Sequence, residues 1–282
     1  MLTKLKNYFL KKNPIFYVDS DSIFEEVLKE ISGEKILGVD TEFDWRNTYY
    51  PNLCLIQIST KKKIFLIDCL RLDSLFKLNL IFENEDIVKV FHSVRSDVTV
   101  LFNSLNTKVS NSFDIQIAEK FLSSGDLKSY AKIVLKYLNL NIDKSETNSN
   151  WLKRPITESQ INYAANDVRF LIKIYLQQKK ILERKNSFLA VKNLIKKEID
   201  LGSQELFIPR LKKMKYRKKI EKDLFMWREN IAKERNVPPS YIFKDKNFKK
   251  ILKIYDENTL REKIYDILQN EKLANNLIES LE

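Results

Sequence analysis

Along the first half of the chain the apolar positions fall into short, β-branched runs separated by polar turns. Ile36 to Phe43, Leu53 to Ser59 and Lys63 to Ile67 predict three strands, near 36 to 43, 53 to 59 and 63 to 67, that follow one another as a meander. Lys61-Lys62-Lys63 reads as the turn between the last two. Ile87-Val88-Lys89-Val90-Phe91 and residues 109 to 113 predict two further strands that alternate with helices. A short helix is predicted over Asp97 to Asn103, with Ser93 or Ser96 as candidate cap. From Glu158 to Tyr175 the apolar residues Ile161, Ala164, Ala165, Val168, Leu171, Ile172 and Tyr175 recur with helical spacing, and the helical pattern runs on to about Lys185. These periods give an α/β domain on a mixed sheet.

The pattern then changes. Residues 187 to 208, with Leu194, Ile195, Ile199 and Leu201, read as a short apolar-basic connection, and Gly202-Ser203 is its clearest break. From Tyr216 onward the pattern is purely helical. An amphipathic helix begins at Leu224-Phe225-Met226-Trp227-Arg228-Glu229, the paired prolines of Asn236-Val237-Pro238-Pro239-Ser240 interrupt it, and helices follow over 245–255, 258–266 and 271–281. The expected division is residues 1–185, a connector over 186–209, and a helical domain over 210–282.

A length of 282 residues accommodates one substantial core and a small second domain. Cys54 and Cys69 form no CxxC pair, so neither a disulfide framework nor a zinc ribbon is indicated, and Cys54 is expected to be a core thiol. The basic segment Met1 to Lys12 lacks the apolar stretch of a signal peptide and no later run suits a membrane span, which leads to the expectation of a cytoplasmic protein with no membrane role. His92 is the lone histidine, which excludes a His-rich metal site. A net charge of +12 suits a polyanionic partner. Part of it crowds after Pro209, in Arg210, Lys212, Lys213, Lys215, Arg217, Lys218, Lys219 and Lys222, a run that a solvated face would explain equally well.

Candidate chemistry lies in the acids. The period of two points Asp40 and Glu42 to one face of their strand, roughly 6 to 7 Å apart along it, where two carboxylates repel each other. A divalent cation such as Mg²⁺ or Mn²⁺ would relieve that repulsion, and so would water at a strand end. Tyr163 and Asp167 share one helix face, about one turn apart. A core tyrosine beside a surface aspartate gives the same spacing. Asp97, in the first turn of its helix, is favoured there by the helix dipole alone.

The order Asp-x-Glu, Asp, Tyr-x3-Asp resembles that of the DEDD 3′-5′ exonucleases, and the ribonuclease D branch is the most similar. The resemblance is carried by Asp40-Thr41-Glu42-Phe43 with Tyr49-Tyr50-Pro51 and Leu55-Ile56-Gln57-Ile58, by His92 through Asp97, and by Phe113-Asp114-Ile115-Gln116. It continues through Asp143-Lys144-Ser145-Glu146, Trp151, Arg154-Pro155, Gln160, Tyr163-Ala164-Ala165 and Asp167-Val168, so it covers residues 15 to 185. Val94-Arg95-Ser96 departs from the family pattern by adding a positive charge before Asp97. Trp227-Arg228, Ala232 to Pro238 and Ile242-Phe243 are similar to an HRDC domain, against the alternative of a plain helical bundle without a nucleic-acid role. Ribonuclease D relatives often carry two such modules and this chain has room for one.

The resemblance implies a ribonuclease H-like mixed sheet flanked by helices and followed by a small all-helical HRDC-like domain. It implies two divalent ions, Mg²⁺ or Mn²⁺, about 4 Å apart, held by Asp40, Glu42 and Asp167, with Asp97 acting on the second ion directly or through water. Tyr163 would orient the attacking water or accept its proton. Thr41, Phe43, His92, Trp151 and Arg154 are the implied substrate contacts, Arg154 as a phosphate holder. Phe43 and Trp45 fit base stacking and core packing equally. The implied activity is stepwise hydrolysis of RNA from a free 3′ end to nucleoside 5′-monophosphates, with transfer-RNA precursors as substrates and no obligate protein partner. A DNA 3′-5′ exonuclease and a non-catalytic nucleic-acid-binding protein are the competing readings.

Overall fold

The computed structural model describes residues 13–142, 146, 149–214 and 218–281, so the sequence readings on 1–12, 143–145 and 215–217 lie outside it. The chain forms two compact units, one of Met1–Asp44 with Leu53–Ser203, the other of Trp45–Asn52 with Gln204–Glu282.

The first unit is built on a six-stranded sheet. Its strands are β1 (Ile15–Val18), β2 (Ile36–Asp44), β3 (Asn52–Ser59), β4 (Ile64–Asp68), β5 (Val88–Phe91) and β6 (Ser112–Asp114), in the order β1-β4-β3-β2-β5-β6. β3 runs antiparallel to β4, from Leu55 opposite Asp68 to Ser59 opposite Ile64, with Lys61-Lys62-Lys63 in the turn. β1 pairs parallel with β4, and β2 with β5 and β5 with β6 likewise. The pattern of apolar residues missed β1 because it is a four-residue edge strand with only Val18 buried.

Helices α1 (Asp21–Ser32), α2 (Asn79–Phe82), α3 (Val94–Leu105), α4 (Ile115–Ser123), α5 (Tyr130–Leu138), α6 (Glu158–Arg169), α7 (Leu171–Arg184) and α8 (Phe188–Gly202) complete this unit. α6 opens with a capping box, in which Thr157 Oγ1 accepts from Gln160 N–H and the Gln160 side chain accepts from Thr157 N–H. The helix expected to run on through Tyr175 is instead two helices, broken at Phe170, whose backbone sits at φ −109° and ψ −6°.

Residues 186–209 are not a connector. Residues 188–202 form α8, which buries Val191 and Ile195. Gly202, read as a break, lies so close to α3 that a Cβ there would come within 2.8 Å of Arg95 O and 3.1 Å of Val98 Cγ1. The change of unit falls after Ser203.

In the second unit α9 (Phe207–Met214), α10 (Lys219–Glu234), α11 (Pro239–Ile242), α12 (Asp245–Asp256), α13 (Leu260–Leu268) and α14 (Glu271–Leu281) enclose a core of Leu224, Trp227, Ile242, Phe243, Ile264 and Leu277. Tyr49 completes that core at 1% exposure. Its hydroxyl donates to Glu229 Oε2 at 3.0 Å, the Arg210 guanidinium lies 5.0 Å from its ring centroid, and Asn236 Oδ1 accepts from the N–H groups of Tyr49 and Tyr50. Trp227 and Arg228 are also structural: the indole N–H donates to Asn276 Oδ1, and the Arg228 guanidinium covers Phe243 and donates to Asp245. Within the basic run, Arg210 pairs with Glu229, Lys218 with Asp256 and Lys219 with Asp223, which reduces the field the run presents.

The docking of α6 and α7 on the sheet depends on Gly38. A Cβ at that position would meet Ser59 Oγ at 2.4 Å, Leu171 Cβ at 3.1 Å and Val168 O at 3.2 Å. Ser59 Oγ donates to Val168 O at 2.8 Å, so the end of α6 rests directly on β2 and β3. Gly38→Ala should therefore push the helix junction away and cost about 1–3 kcal/mol in denaturant unfolding.

Candidate metal centre

Asp40 and Glu42 lie on β2 at the two alternate positions after Gly38, hence on the face that α6 covers. Asp167 comes to them from the last turn of α6. One carboxylate oxygen from each of Asp40, Glu42 and Asp167 lies within 4.8 Å of the other two. Three half-buried acids so close form an oxygen-donor set suited to a divalent cation.

Asp97 stands beside this group in the first turn of α3, 3% exposed. Its Oδ1 accepts from Thr41 N–H at 3.1 Å and from Thr41 Oγ1 at 2.6 Å. The start of α3 is fixed by Asp114, whose Oδ2 accepts from Val94 N–H while Oδ1 accepts from the N–H groups of Gln116 and Ile117 at the start of α4. One buried aspartate thus caps two helices. Ser93, the candidate cap, has a left-handed backbone at φ 69° and makes no side-chain cap bond. Arg95, the departure from the family pattern, pairs with Glu198 on α8.

The charges of the site oppose one another. Burial, followed by the repulsion of Asp97, Asp167 and Glu42, holds the Asp40 carboxyl well above the usual range. Burial and then Asp167 and Asp97 do the same to Glu42. Burial raises Asp97 to about 7 despite the Thr41 hydrogen bonds. Without a cation all three acids hold their protons to higher pH than an exposed carboxyl does, Asp97 to about 7.

Tyr163 projects from α6 one turn before Asp167, with the Trp151 ring 6.2 Å away at a 42° tilt. Trp151 is 4% exposed, so its indole backs the phenol from inside the protein. Arg154 spends all five N–H groups within the chain: Nε and Nη2 grip Asp68 at 2.6 Å each, Nη2 also reaches Cys54 O at 2.9 Å, and Nη1 donates to Trp151 O at 2.6 Å and Lys153 O at 2.9 Å. The phosphate contact expected of Arg154 has no donor left to make it. The guanidinium instead pins the segment that presents Trp151. Tyr17 also donates to Asp68. Burial pushes the Asp68 carboxyl up, and the bonds from Arg154 and Tyr17 outweigh it and hold it below its ordinary value.

The remaining expected substrate residues have partners within the protein. Thr41 serves Asp97, and Phe43 packs against the core of the first unit. His92 Nε2 donates to Lys128 O at 3.1 Å, and its ring meets the edge of Tyr130. Tyr130 itself passed unnoticed in the sequence, yet its hydroxyl reaches Asn166 O at 3.1 Å, next to Asp167. The Leu-Lys-Ser-Tyr run before α5 carries no motif that would have singled it out.

Residues 15–183 match the model of the 3′-5′ exonuclease family, and the chain belongs to that family. Residues 217–259 match the HRDC domain. The chain is 33% identical over 235 residues to ribonuclease D of Desulfotalea psychrophila, an alignment that takes in 78% of this chain and 63% of that relative, less than two thirds of its length. Among solved structures it is similar to Escherichia coli RNase D, with a TM-score of 0.79 at 23% identity over 92% of this chain and 74% of the other. Trypanosoma brucei RNase D in complex with RNA U12 gives a TM-score of 0.61 at 19% identity, over 72% and 75% of the two chains. The mixed sheet flanked by helices, with a helical HRDC domain after it, is the expected architecture. Among the described residues no helix is long and apolar enough to cross a membrane.

Two expectations follow. Asp97 titrates at about 3.8 when unfolded and about 7 when folded, so the native state holds the extra proton and loses stability as pH rises through that window. In chelator, Asp97→Asn should melt higher than the parent at pH 8, with the gain vanishing towards pH 4; Mn²⁺ should raise the parent's melting temperature more at pH 8 than at pH 5. Arg154→Met leaves Asp68 buried without its cation, and should cost about 3–5 kcal/mol in urea unfolding.

Proposed function

We propose that the chain is a metal-dependent 3′-5′ exoribonuclease of the ribonuclease D type. The observation that carries this reading is the convergence of Asp40, Glu42 and Asp167 within 4.8 Å beneath the helix that also presents Tyr163. The donor set fits two Mg²⁺ or Mn²⁺ ions, with Asp40, Glu42 and Asp167 as direct ligands and Asp97 serving the second. Bound there, such ions lower the pKa of a water and stabilise a leaving oxyanion.

The chain's own residues do the rest. Asp97, fixed by Thr41, and Asp167, fixed by the docking of α6, hold the ligand oxygens in place before substrate arrives. Tyr163, backed by Trp151, orients a water at the terminal phosphodiester through its hydroxyl. Attack at phosphorus breaks the bond to the 3′-oxygen of the preceding nucleotide. The proton lost by the water balances the one that this oxygen gains, and the products are a nucleoside 5′-monophosphate and an RNA shorter by one residue. Transfer-RNA precursors with a free 3′ end, met in the cytoplasm, are the substrates this reading favours; the net charge of +12 supports a polyanion.

The test uses 5′-labelled RNA and its DNA equivalent with Mn²⁺, Mg²⁺ or chelator. Metal-dependent, one-nucleotide shortening of RNA is expected, with Asp40→Asn and Asp167→Asn reducing it at least about a thousandfold while RNA binding stays within a few fold. No shortening of either strand would defeat the enzyme reading, and faster loss of DNA would transfer the activity to DNA.

A further inference from the structure

Asn166 and Phe170 are four residues apart, the spacing of one rung of an α-helical ladder, in which Phe170 N–H would donate to Asn166 O. In this chain the Tyr130 hydroxyl occupies that rung. It donates to Asn166 O at 3.1 Å and accepts from Phe170 N–H at 3.3 Å. A hydroxyl has one proton to give and lone pairs to receive, so a single phenol oxygen meets both backbone groups of the opened rung, sharing the Phe170 N–H with Val168 O. A side chain inserted into the ladder is a recognised cause of a sharp helix break. Here the break separates α6 from α7 at Phe170, and Asp167 lies inside the opened rung.

The phenol is held from the sheet side. Tyr130 is 8% exposed at the first position of α5. Two residues earlier, Lys128 O accepts from His92 Nε2 at 3.1 Å and from Gln116 Nε2 at 2.9 Å. The His92 ring packs edge-on to the Tyr130 ring at 5.6 Å and 60°. His92 directly follows β5 and Gln116 lies in α4, so the phenol oxygen is registered to the same sheet that carries Asp40 and Glu42.

We infer that Tyr130 is a positioning residue for the metal centre: by splitting the α6–α7 ladder it sets the direction in which Asp167 meets Asp40 and Glu42. The inference deepens the exonuclease reading and rests on it. Without the hydroxyl the Asn166–Phe170 rung closes on itself, the two helices tend to merge, and the Asp167 carboxylate turns relative to β2. The phenol takes no part in the reaction. Its effect appears in metal affinity first and in turnover through it.

The full-length chain carrying Tyr130→Phe, which keeps the ring and removes only the oxygen, tests this. Mn²⁺ binding is measured by titration with electron paramagnetic resonance detection, alongside kcat and KM on labelled RNA and the melting temperature. We expect Mn²⁺ affinity to fall about 10- to 100-fold and kcat to fall with it, while KM for RNA stays within about threefold. Should Tyr130→Phe fail to fold, 4-aminophenylalanine and 4-fluorophenylalanine at position 130 fill similar space and differ in whether they donate; the amino variant should bind Mn²⁺ near the parent level and the fluoro variant should not. Parent-like Mn²⁺ affinity in a folded Tyr130→Phe, or equal affinities in the amino and fluoro variants, would overturn the inference. A parent that binds Mn²⁺ yet shortens no RNA sinks the exonuclease reading, while the Mn²⁺ comparison still decides the role of Tyr130.

Discussion

The mutual repulsion of acids held close in a half-buried place is the constraint around which the first unit is organised. Asp40, Glu42 and Asp167 bring their oxygens within 4.8 Å of one another, with Asp97 close enough to raise the first two further. Left to themselves they would separate, and Asp40 and Glu42 hold their protons more tightly than exposed acids do. The fold opposes separation with close packing and uncharged donors: Gly38 admits the helix junction to the sheet, the Ser59 hydroxyl donates to Val168 O, and the Thr41 hydroxyl donates to Asp97. The repulsion between these carboxylates is therefore electrostatic, and the same packing that holds them together leaves a binding site for cations prepared in advance.

Much of this was legible in the chain. The period of two in β2 put Asp40 and Glu42 on one face, and the helical spacing put Tyr163 and Asp167 on another. That these two faces meet followed from the family resemblance and not from the spacing, because the contact itself depends on a missing Cβ at Gly38 and on Ser59, neither of which belongs to an acidic motif. The break at Phe170 was hidden for a related reason: local spacing supports a continuous helix, and the group that interrupts it arrives from Tyr130, 40 residues earlier. α8 was read as a connection because Gly202 resembles punctuation; its absent side chain in fact permits close packing on α3.

Arg154 shows the limit of reading charge as function. An arginine beside a site of phosphate chemistry invites a ligand-binding role, but its partners here are Asp68 and backbone carbonyls of Cys54, Trp151 and Lys153. Carbonyl groups are present at every residue and so leave no trace in a sequence. The saturated guanidinium instead supports the Trp151 segment, and through that indole the face of Tyr163. Trp227 and Arg228, on which the HRDC likeness rests, are likewise core residues of the second unit.

The stretch Trp45–Asn52 belongs to the second unit although it lies between two strands of the first. The second unit is therefore not a contiguous cassette. Its core includes Tyr49, and a segment cut at Gln204 would carry away Glu229 and Asn236 without the tyrosine they hold. Recombination that exchanges whole C-terminal modules between genes would have to exchange this short stretch as well. A change in the loop between β2 and β3 and a change in α10 therefore bear on one and the same core, that of the second unit.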